Sequence, residues 1–274
     1  LIAMSAILVI FFILPAFVMR QFFRSPIDYT HGPNSILRVA TWNVYQGYDI
    51  YGGTSLSRLA EIIRQEKVDF IGLQESEPGR IQSGFIGLTE YVADHARMHF
   101  YDGLPLRDAS LNAASLSHIP FDTTESRVMS LTQSDTMVRP LVRTSFTVNN
   151  ATVYIINVHV ELRYSPIDAS AQIDEIIALA NETSSTHPTI ILGDFNYEAD
   201  HEFIARIRHA GYTSSFEDFH NGTRPITYKK FGAEESIDWV FFKSPIPFSV
   251  VNARVLEVNG TSDHLPLFVD FAFK

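Results

Sequence analysis

Short apolar runs of strand length recur along the chain, each ending in a polar cluster, with amphipathic stretches of helical period between them. Residues 37–43 read as a first strand. Thr54 or Ser55 then caps a helix whose apolar residues, Leu56, Leu59, Ala60 and Ile63, fall at i, i+3, i+4 and i+7. Residues 68–73 form a buried strand that ends at Glu75. Residues 85–111 are less regular and read as a variable substrate loop. An antiparallel pair follows at 138–148 and 151–160, joined by a turn at Asn149-Asn150. Asp168 caps the next helix, with Ile173, Ile176, Ile177 and Ala180 inward. A short apolar strand at 189–192 leads to Asp194 and Asn196. Phe203, Ile204 and Ile207 form another helix face, closed by Gly211. Strands at 237–242, 249–256 and 267–273 complete the pattern, which predicts two β-halves with helices outside.

The first 35 residues break that pattern. Residues 1–19 are apolar except for Ser5, and nineteen helical residues span about 28 Å, close to the hydrocarbon thickness of a bilayer. Pro15 kinks such a helix without forbidding it. The other reading is a signal peptide, but the run is longer than the usual apolar region of one, and no small-x-small cleavage site follows. The sequence therefore predicts a membrane helix over 1–19, a polar connector over 20–35 with Pro26, Gly32 and Pro33, and one large domain over 36–274. A hydrophobic share of 46% fits a globular protein with a membrane element. The absence of cysteine excludes disulfides, thiolate catalysis and Cys-ligated zinc.

The polar clusters at the strand ends carry the chemistry. They are Thr41-Trp42-Asn43, Leu73-Gln74-Glu75, Asn157-Val158-His159, Gly193-Asp194-Phe195-Asn196, Ile237-Asp238-Trp239 and Ser262-Asp263-His264. Carboxylates and amides suit a hard divalent cation, and the imidazoles suit proton transfer and a charged oxyanion. This is a reagent set for metal-assisted hydrolysis of a phosphate ester.

Order, spacing and local sequence of these clusters resemble the endonuclease/exonuclease/phosphatase superfamily, which includes DNase I, abasic-site endonucleases, neutral sphingomyelinases and inositol-polyphosphate phosphatases. The resemblance covers residues 36–273. It implies an α/β fold, the DNase I-like four-layer α/β sandwich, here preceded by the membrane helix. It implies Mg²⁺, with Mn²⁺ as a substitute, held by Glu75 with help from Asn43 and with Asp263 as a second metal-side carboxylate. Asp194 would align or deprotonate water, and Asn196 would donate to the attacked phosphate. Asp238 and His264 would form a coupled pair that stabilises the phosphate oxyanion, and His159 would contact phosphate or protonate the leaving group. Residues 112–120 resemble the family's A-x-x-S-R-x-P strand, with His118 where the family has Arg. Tyr48, Tyr197 and Tyr228 lie near the motifs and are candidates to line the cleft.

Within the superfamily, Ser236-Ile237-Asp238-Trp239 departs from the Trp-Cys-Asp-Arg signature of inositol-polyphosphate phosphatases. Residues 42–49 and 68–77 look closest to the C-terminal domains of eukaryotic membrane proteins that remodel the lipid of glycosylphosphatidylinositol (GPI) anchors. The implied function is a membrane-tethered phosphodiesterase acting on a phospholipid or GPI-type substrate. Two alternatives stay open: a DNase-type endonuclease, and a catalytically quiet domain that binds GPI lipid. Beyond Arg20 and Arg24 the chain has 19 Lys and Arg against 31 Asp and Glu, a net of −12. A non-specific duplex binder needs several cations along a groove, and the one adjacent basic pair is Lys229-Lys230, so nucleic acid is the weaker partner. Arg20 and Arg24 favour a cytoplasmic domain. Four N-x-T sequons, at Asn150, Asn181, Asn221 and Asn259, favour a lumenal or extracellular one, and that placement is the expectation.

Overall fold

The computed structural model describes residues 36–76, 87–103, 112–131, 138–162, 164–222 and 224–273. The elements, in chain order, are β1 (Ile36–Asn43), α1 (Leu56–Gln65), β2 (Phe70–Ser76), α2 (Leu88–Ala96), β3 (His99–Asp102), β4 (Asn112–Ser117), β5 (Thr123–Val128), β6 (Pro140–Val148), β7 (Ala151–His159), α3 (Pro166–Asn181), β8 (Thr189–Asp194), α4 (Glu202–His209), β9 (Thr213–Ser214), α5 (Ser215–Phe219), β10 (Tyr228–Lys230), β11 (Ala233–Glu235), β12 (Asp238–Lys243), β13 (Phe248–Val255) and β14 (Leu267–Phe273). One six-stranded sheet runs β13-β14-β1-β2-β4-β3. A second runs β5-β6-β7-β8-β12-β9, and β10 and β11 form a separate ribbon.

The layers follow from which faces are apolar. Leu37, Val39 and Phe70 of the first sheet meet Ile155, Ile190 and Val240 of the second, forming the central core. The outer face of the first sheet is covered by α1 and α2 through Leu59, Ile63 and Val92. The outer face of the second is covered by α3 and α4 through Ile173, Ile176, Phe203 and Ile207. Each fully buried side chain of this kind contributes about 1.5–3 kcal/mol relative to exposure. The result is the α/β/β/α sandwich expected from the sequence.

Several local readings change. Residues 88–96 and 99–102 form a helix and an edge strand inside the stretch read as irregular. Leu88, Val92, Ala93 and Ala96 give α2 a narrow buried face, which its polar neighbours mask in the sequence. Asp168 does not cap α3. Ser165 is the N-cap, Pro166 opens the helix, and Ser165 Oγ donates to Asp168 Oδ2 at 2.7 Å from outside the first turn. Ser55 holds the N-cap position of α1 without a side-chain capping bond. Among the described residues no helix is long and apolar enough to cross a membrane. The apolar run 1–19 and the connector 20–35 lie outside the described residues.

Strand direction sets the poles of the molecule. β1 and β2 are parallel and finish together, with Asn43 beside Gln74. β7 and β8 are parallel and finish together, with His159 beside Asp194. β12 runs the other way and starts at that end, with Asp238 opposite Asp194. Five of the polar clusters thus come to one pole, and the sixth, 262–264, precedes β14 there.

Candidate active site

At that pole a cleft of about 550 Å³ opens between the sheets. Glu75, His159, Asp194, Asn196, Asp263 and His264 line it. Asn43 and Asp238 stand behind them, almost wholly buried. The structure thus brings every residue of the predicted site to one place.

Local backbone features aim these groups. The β2–β4 ladder shifts register between Gln74 and Ser76, and Glu75 sits in that bulge at φ 55. A bulky residue in the left-handed region is strained, by an amount of order 1–3 kcal/mol, and the bulge turns its carboxylate into the cleft. Gly193, at φ 146, precedes Asp194; a Cβ there would meet Val158 O at 1.9 Å, so only glycine lets β8 run this close to β7. The 262–264 loop is stapled to β1: Ser262 Oγ donates to Asn43 O at 2.8 Å, and Trp42 Nε1 donates to His264 O at 3.0 Å.

Asp194 is the hub. Its Oδ2 accepts from Asn43 Nδ2 at 2.9 Å and lies 3.5 Å from His159 Nε2 and 3.6 Å from His264 Nε2. Its Oδ1 accepts from Asn196 N at 2.9 Å. Burial pushes the Asp194 carboxyl up to about 7, against the pull of His264. It is therefore poised to take a proton near neutrality. His264 Nδ1 lies 2.9 Å from Asp238 Oδ2. Burial opposes a charge on His264, but Asp238 and Asp194 outweigh it and raise the imidazole to about 10. His264 is thus a buried cation, suited to an oxyanion. His159 is the reverse case. Burial, then Arg139 and His264, hold it well below the usual histidine range, so it is neutral.

Among the described residues at this pole, two groups of side chains could hold a cation. Atoms of Asp194, Asp238 and His264 lie within 4.8 Å of one another. That trio is already committed, since Asp238 and His264 share a hydrogen bond and His264 carries the proton. Glu75 and Asp263 offer the better fit: both are carboxylates on the cleft wall, and Asp263 Oδ1 is buried with no hydrogen-bond partner. An all-oxygen set of this kind suits a hard divalent ion. Asn43, expected to help as a ligand, uses its Nδ2 to bridge Glu75 Oε1 at 3.1 Å and Asp194, while its Oδ1 accepts from Tyr45 N. As placed, it is a donor that ties the two carboxylates together.

Other expectations shift. His118 lies at the opposite pole, because β4 runs antiparallel to β2 and places Ser117 beside Phe70 rather than near Glu75. It makes no part of the cleft wall. Of the three tyrosines, Tyr228 lines the cleft, while Tyr197 is buried in the core under α4 and Tyr48 is off the wall; Tyr45 and Tyr164 take their places. Asn196 Nδ2 donates to Val160 O at 2.9 Å, which fixes its amide.

Several contributors escaped the sequence reading. Arg139 is 1% exposed, contacts both ring nitrogens of His159 at 3.1 and 3.0 Å, and pairs with Glu161 at 3.2 Å. Lys230 Nζ lies 2.8 Å from Asp263 Oδ2 and 3.9 Å from the centre of the Tyr45 ring. Beneath the cleft, Gln74 Nε2 donates to Asn157 Oδ1 at 2.6 Å, and Asn157 Nδ2 donates to Ala114 O at 2.8 Å, strapping the two sheets. Gly72 permits this approach, since a Cβ there would meet Leu192 Cδ1 at 2.3 Å. The one sequence signal was that Gln74 and Asn157 belong to the same clusters as Glu75 and His159.

Comparison with known proteins agrees with this geometry. Residues 40–264 match the Endonuclease/Exonuclease/phosphatase family. By sequence the chain is 25% identical over 170 residues to Protein cwh43 of Schizosaccharomyces pombe, covering 61% of this chain and 17% of that protein. By fold it is similar to D. rerio TDP2 complexed with single strand DNA product, with a TM-score of 0.72, 19% identity, and 86% and 99% of the two chains covered. It is similar also to ANGEL2, a 2',3'-cyclic phosphatase, in complex with adenosine-2',3'-vanadate, with a TM-score of 0.68, 11% identity, and 90% and 98% covered. The match over residues 40–264, most of the chain, places the protein in the endonuclease/exonuclease/phosphatase family.

Proposed function

We propose that the chain is a membrane-tethered, Mg²⁺-dependent phosphodiesterase that hydrolyses a lipid-linked phosphodiester, with GPI-anchor lipid as the leading substrate class. The observation that carries the substrate assignment is the likeness of residues 42–49 and 68–77 to GPI-remodelling membrane proteins, in a domain that follows an apolar run at 1–19. The match to Protein cwh43 supports it, although the chain spans only 17% of that protein.

In this reading Glu75 and Asp263 hold the cation, which supplies Lewis-acid polarisation of the phosphoryl group. Asp194, raised by burial to about 7, takes a proton from the attacking water and returns it to the leaving oxygen as the phosphoester bond breaks. His264, charged and held by Asp238, neutralises the phosphoryl oxygens as they gain charge. Asn196 contributes an amide donor to the attacked phosphate. His159, neutral and fixed by Arg139, cannot donate a proton from its own charge and instead orients the Asp194 side of the site.

The competing reading is a nuclease, favoured by the fold shared with TDP2, which is seen with single strand DNA product. The net of −12 over the chain beyond Arg24 weighs against polyanion binding. The deciding experiment assays the full chain with Mg²⁺ in vesicles carrying phospholipid and GPI lipid, in parallel with single-stranded and duplex DNA. Release of a lipid headgroup or lipid product in preference to DNA scission supports the lipid reading. Efficient DNA cleavage with every lipid phosphodiester untouched establishes the nuclease instead.

A further inference from the structure

The four most exposed large hydrophobic side chains among the described residues are Phe231 at 98%, Tyr164 at 88%, Tyr51 at 84% and Ile167 at 62%. They come from three separate parts of the chain, yet all belong to segments at the pole where the cleft opens. Tyr51 follows β1 just past Asn43, in a loop whose Ile50 N donates to Gly260 O beside the 262–264 cluster. Tyr164 and Ile167 follow β7 just past His159, and Tyr164 lines the cleft. Phe231 is the tip of the β10–β11 ribbon, whose Tyr228, Lys230 and Glu235 also line the cleft. Single exposed apolar residues are ordinary, but four ringing one opening form an apolar rim.

Phe231 is the most informative of them. With Gly232 it makes a two-residue turn with φ values of 51 and 84. Primed turns of this kind favour Asn or Asp before Gly, because a left-handed bulky residue is strained. An aromatic side chain is here held in a strained conformation while touching almost nothing of its own protein. The neighbouring cations are already spent: Lys230 turns inward to Asp263, and Lys229 pairs with Glu257. Among the described residues the rim is therefore apolar and aromatic without a basic patch, which suits a zwitterionic lipid surface better than a polyanion.

The proposed tether by itself leaves the orientation of the domain open. β1 begins at Ile36 on the pole opposite the cleft, and its eight residues run about 26 Å to reach Asn43. The connector over residues 20–35 can extend to about 55 Å at most, enough to pass along the domain. A tether alone, however, presents the far pole to the bilayer as readily as the cleft.

From these relations we infer that the rim of Phe231, Tyr164, Tyr51 and Ile167 docks on the bilayer that holds residues 1–19, turning the cleft toward the headgroups. This rests on the lipid reading proposed above. The aromatic rings sit at the headgroup level, Phe231 foremost as the most exposed of them.

The test uses the full chain in phosphatidylcholine vesicles. Trp42 and Trp239 are wholly buried, so a tryptophan placed at the rim can be read against a constant background. Phe231→Trp is compared with Ile246→Trp, which follows β12 at the far pole. Phe231→Trp emission is expected to shift to the blue and to be quenched by lipids labelled near the headgroup, while Ile246→Trp is not quenched. In Phe231→Ser, the ratio of turnover on bilayer lipid to turnover on a soluble short-chain analogue is expected to fall by about tenfold or more. Equal quenching at both positions, or none at Phe231→Trp, overturns the docked orientation even if bilayer lipid is still cleaved. Quenching by single-stranded DNA but not by labelled lipid assigns the rim to base stacking and overturns it as well. If lipid quenching is seen but no lipid phosphodiester is hydrolysed, the docking stands and the proposed substrate fails.

Discussion

His264 Nδ1 lies 2.9 Å from Asp238 Oδ2, behind the cleft wall and out of reach of solvent. The two residues are 26 apart in sequence, Asp238 at the start of β12 and His264 in the loop before β14, and neither is explained without the other. Asp238 gives a buried imidazole its charge, and His264 compensates a buried carboxylate. Asp238→Asn should remove that support and lower kcat by about a hundredfold, with His264→Ala at least as severe. The double variant should be little worse than His264→Ala alone, because the pair acts as a unit. Additive losses in kcat/KM across the four proteins would show that the pair is not coupled.

Glu75 is held in a strained bulge with its carboxylate on the cleft wall. Glu75→Gln keeps the shape and removes the anion, so half-maximal activation should require at least about tenfold more Mg²⁺. Isothermal titration of the cation provides a readout independent of turnover. An unchanged cation affinity would move the site to Asp194, Asp238 and His264, the alternative group.

His118 matters for stability rather than for chemistry. Burial, helped by the charge of His99, holds it at about 4, against the ordinary 6.5 that it regains on unfolding. Below pH 6.5 the unfolded chain therefore takes up the proton first. The contribution of His118 is intact above about pH 6.5 and is lost as pH falls toward about 4. Urea midpoints measured from pH 7 to pH 4.5 should fall less steeply in His118→Gln than in the unaltered chain. Turnover at pH 7 should survive the same substitution, since His118 is at the far pole. Lost turnover in a folded His118→Gln protein would show that it acts on the chemistry.

The sequons bear on which side of the membrane the domain occupies. Asn150, Asn181, Asn221 and Asn259 are all exposed, and Asn150 lies in the β6–β7 turn, remote from the cleft. A lumenal or extracellular domain should carry glycan on at least one of them in a eukaryotic host, seen as a glycosidase-sensitive mass. A protein with no such mass, made with residues 1–35 intact, would favour the cytoplasmic side indicated by Arg20 and Arg24.

Much of this site could be read from the sequence because parallel strands that finish together carry their polar residues to one edge. Strand pattern and polar termini were sufficient to bring Asn43, Glu75, His159 and Asp194 to the same pole. What stayed hidden depends on contacts between distant segments. Nothing local marks Arg139 as a buried partner of His159, since it precedes β6 like any strand-flanking arginine. The β10–β11 ribbon is only three residues a side, too short for a period to register, yet it supplies Lys230 to Asp263. The motif match alone left the place of His118 open, and strand direction supplies it: in β4 the motif's far end points away from the site.

Burial, Asn43 and the two histidines converge on Asp194, which carries the proposed chemistry. The decisive measurement is Mg²⁺-dependent hydrolysis of a lipid-linked phosphodiester by the full chain in vesicles, comparing the unaltered protein with Asp194→Asn. Turnover should stop on chelation and fall by about a hundredfold or more in Asp194→Asn, with thermal unfolding unchanged. Full activity in Asp194→Asn, or equal activity in chelator, would contradict the proposed chemistry.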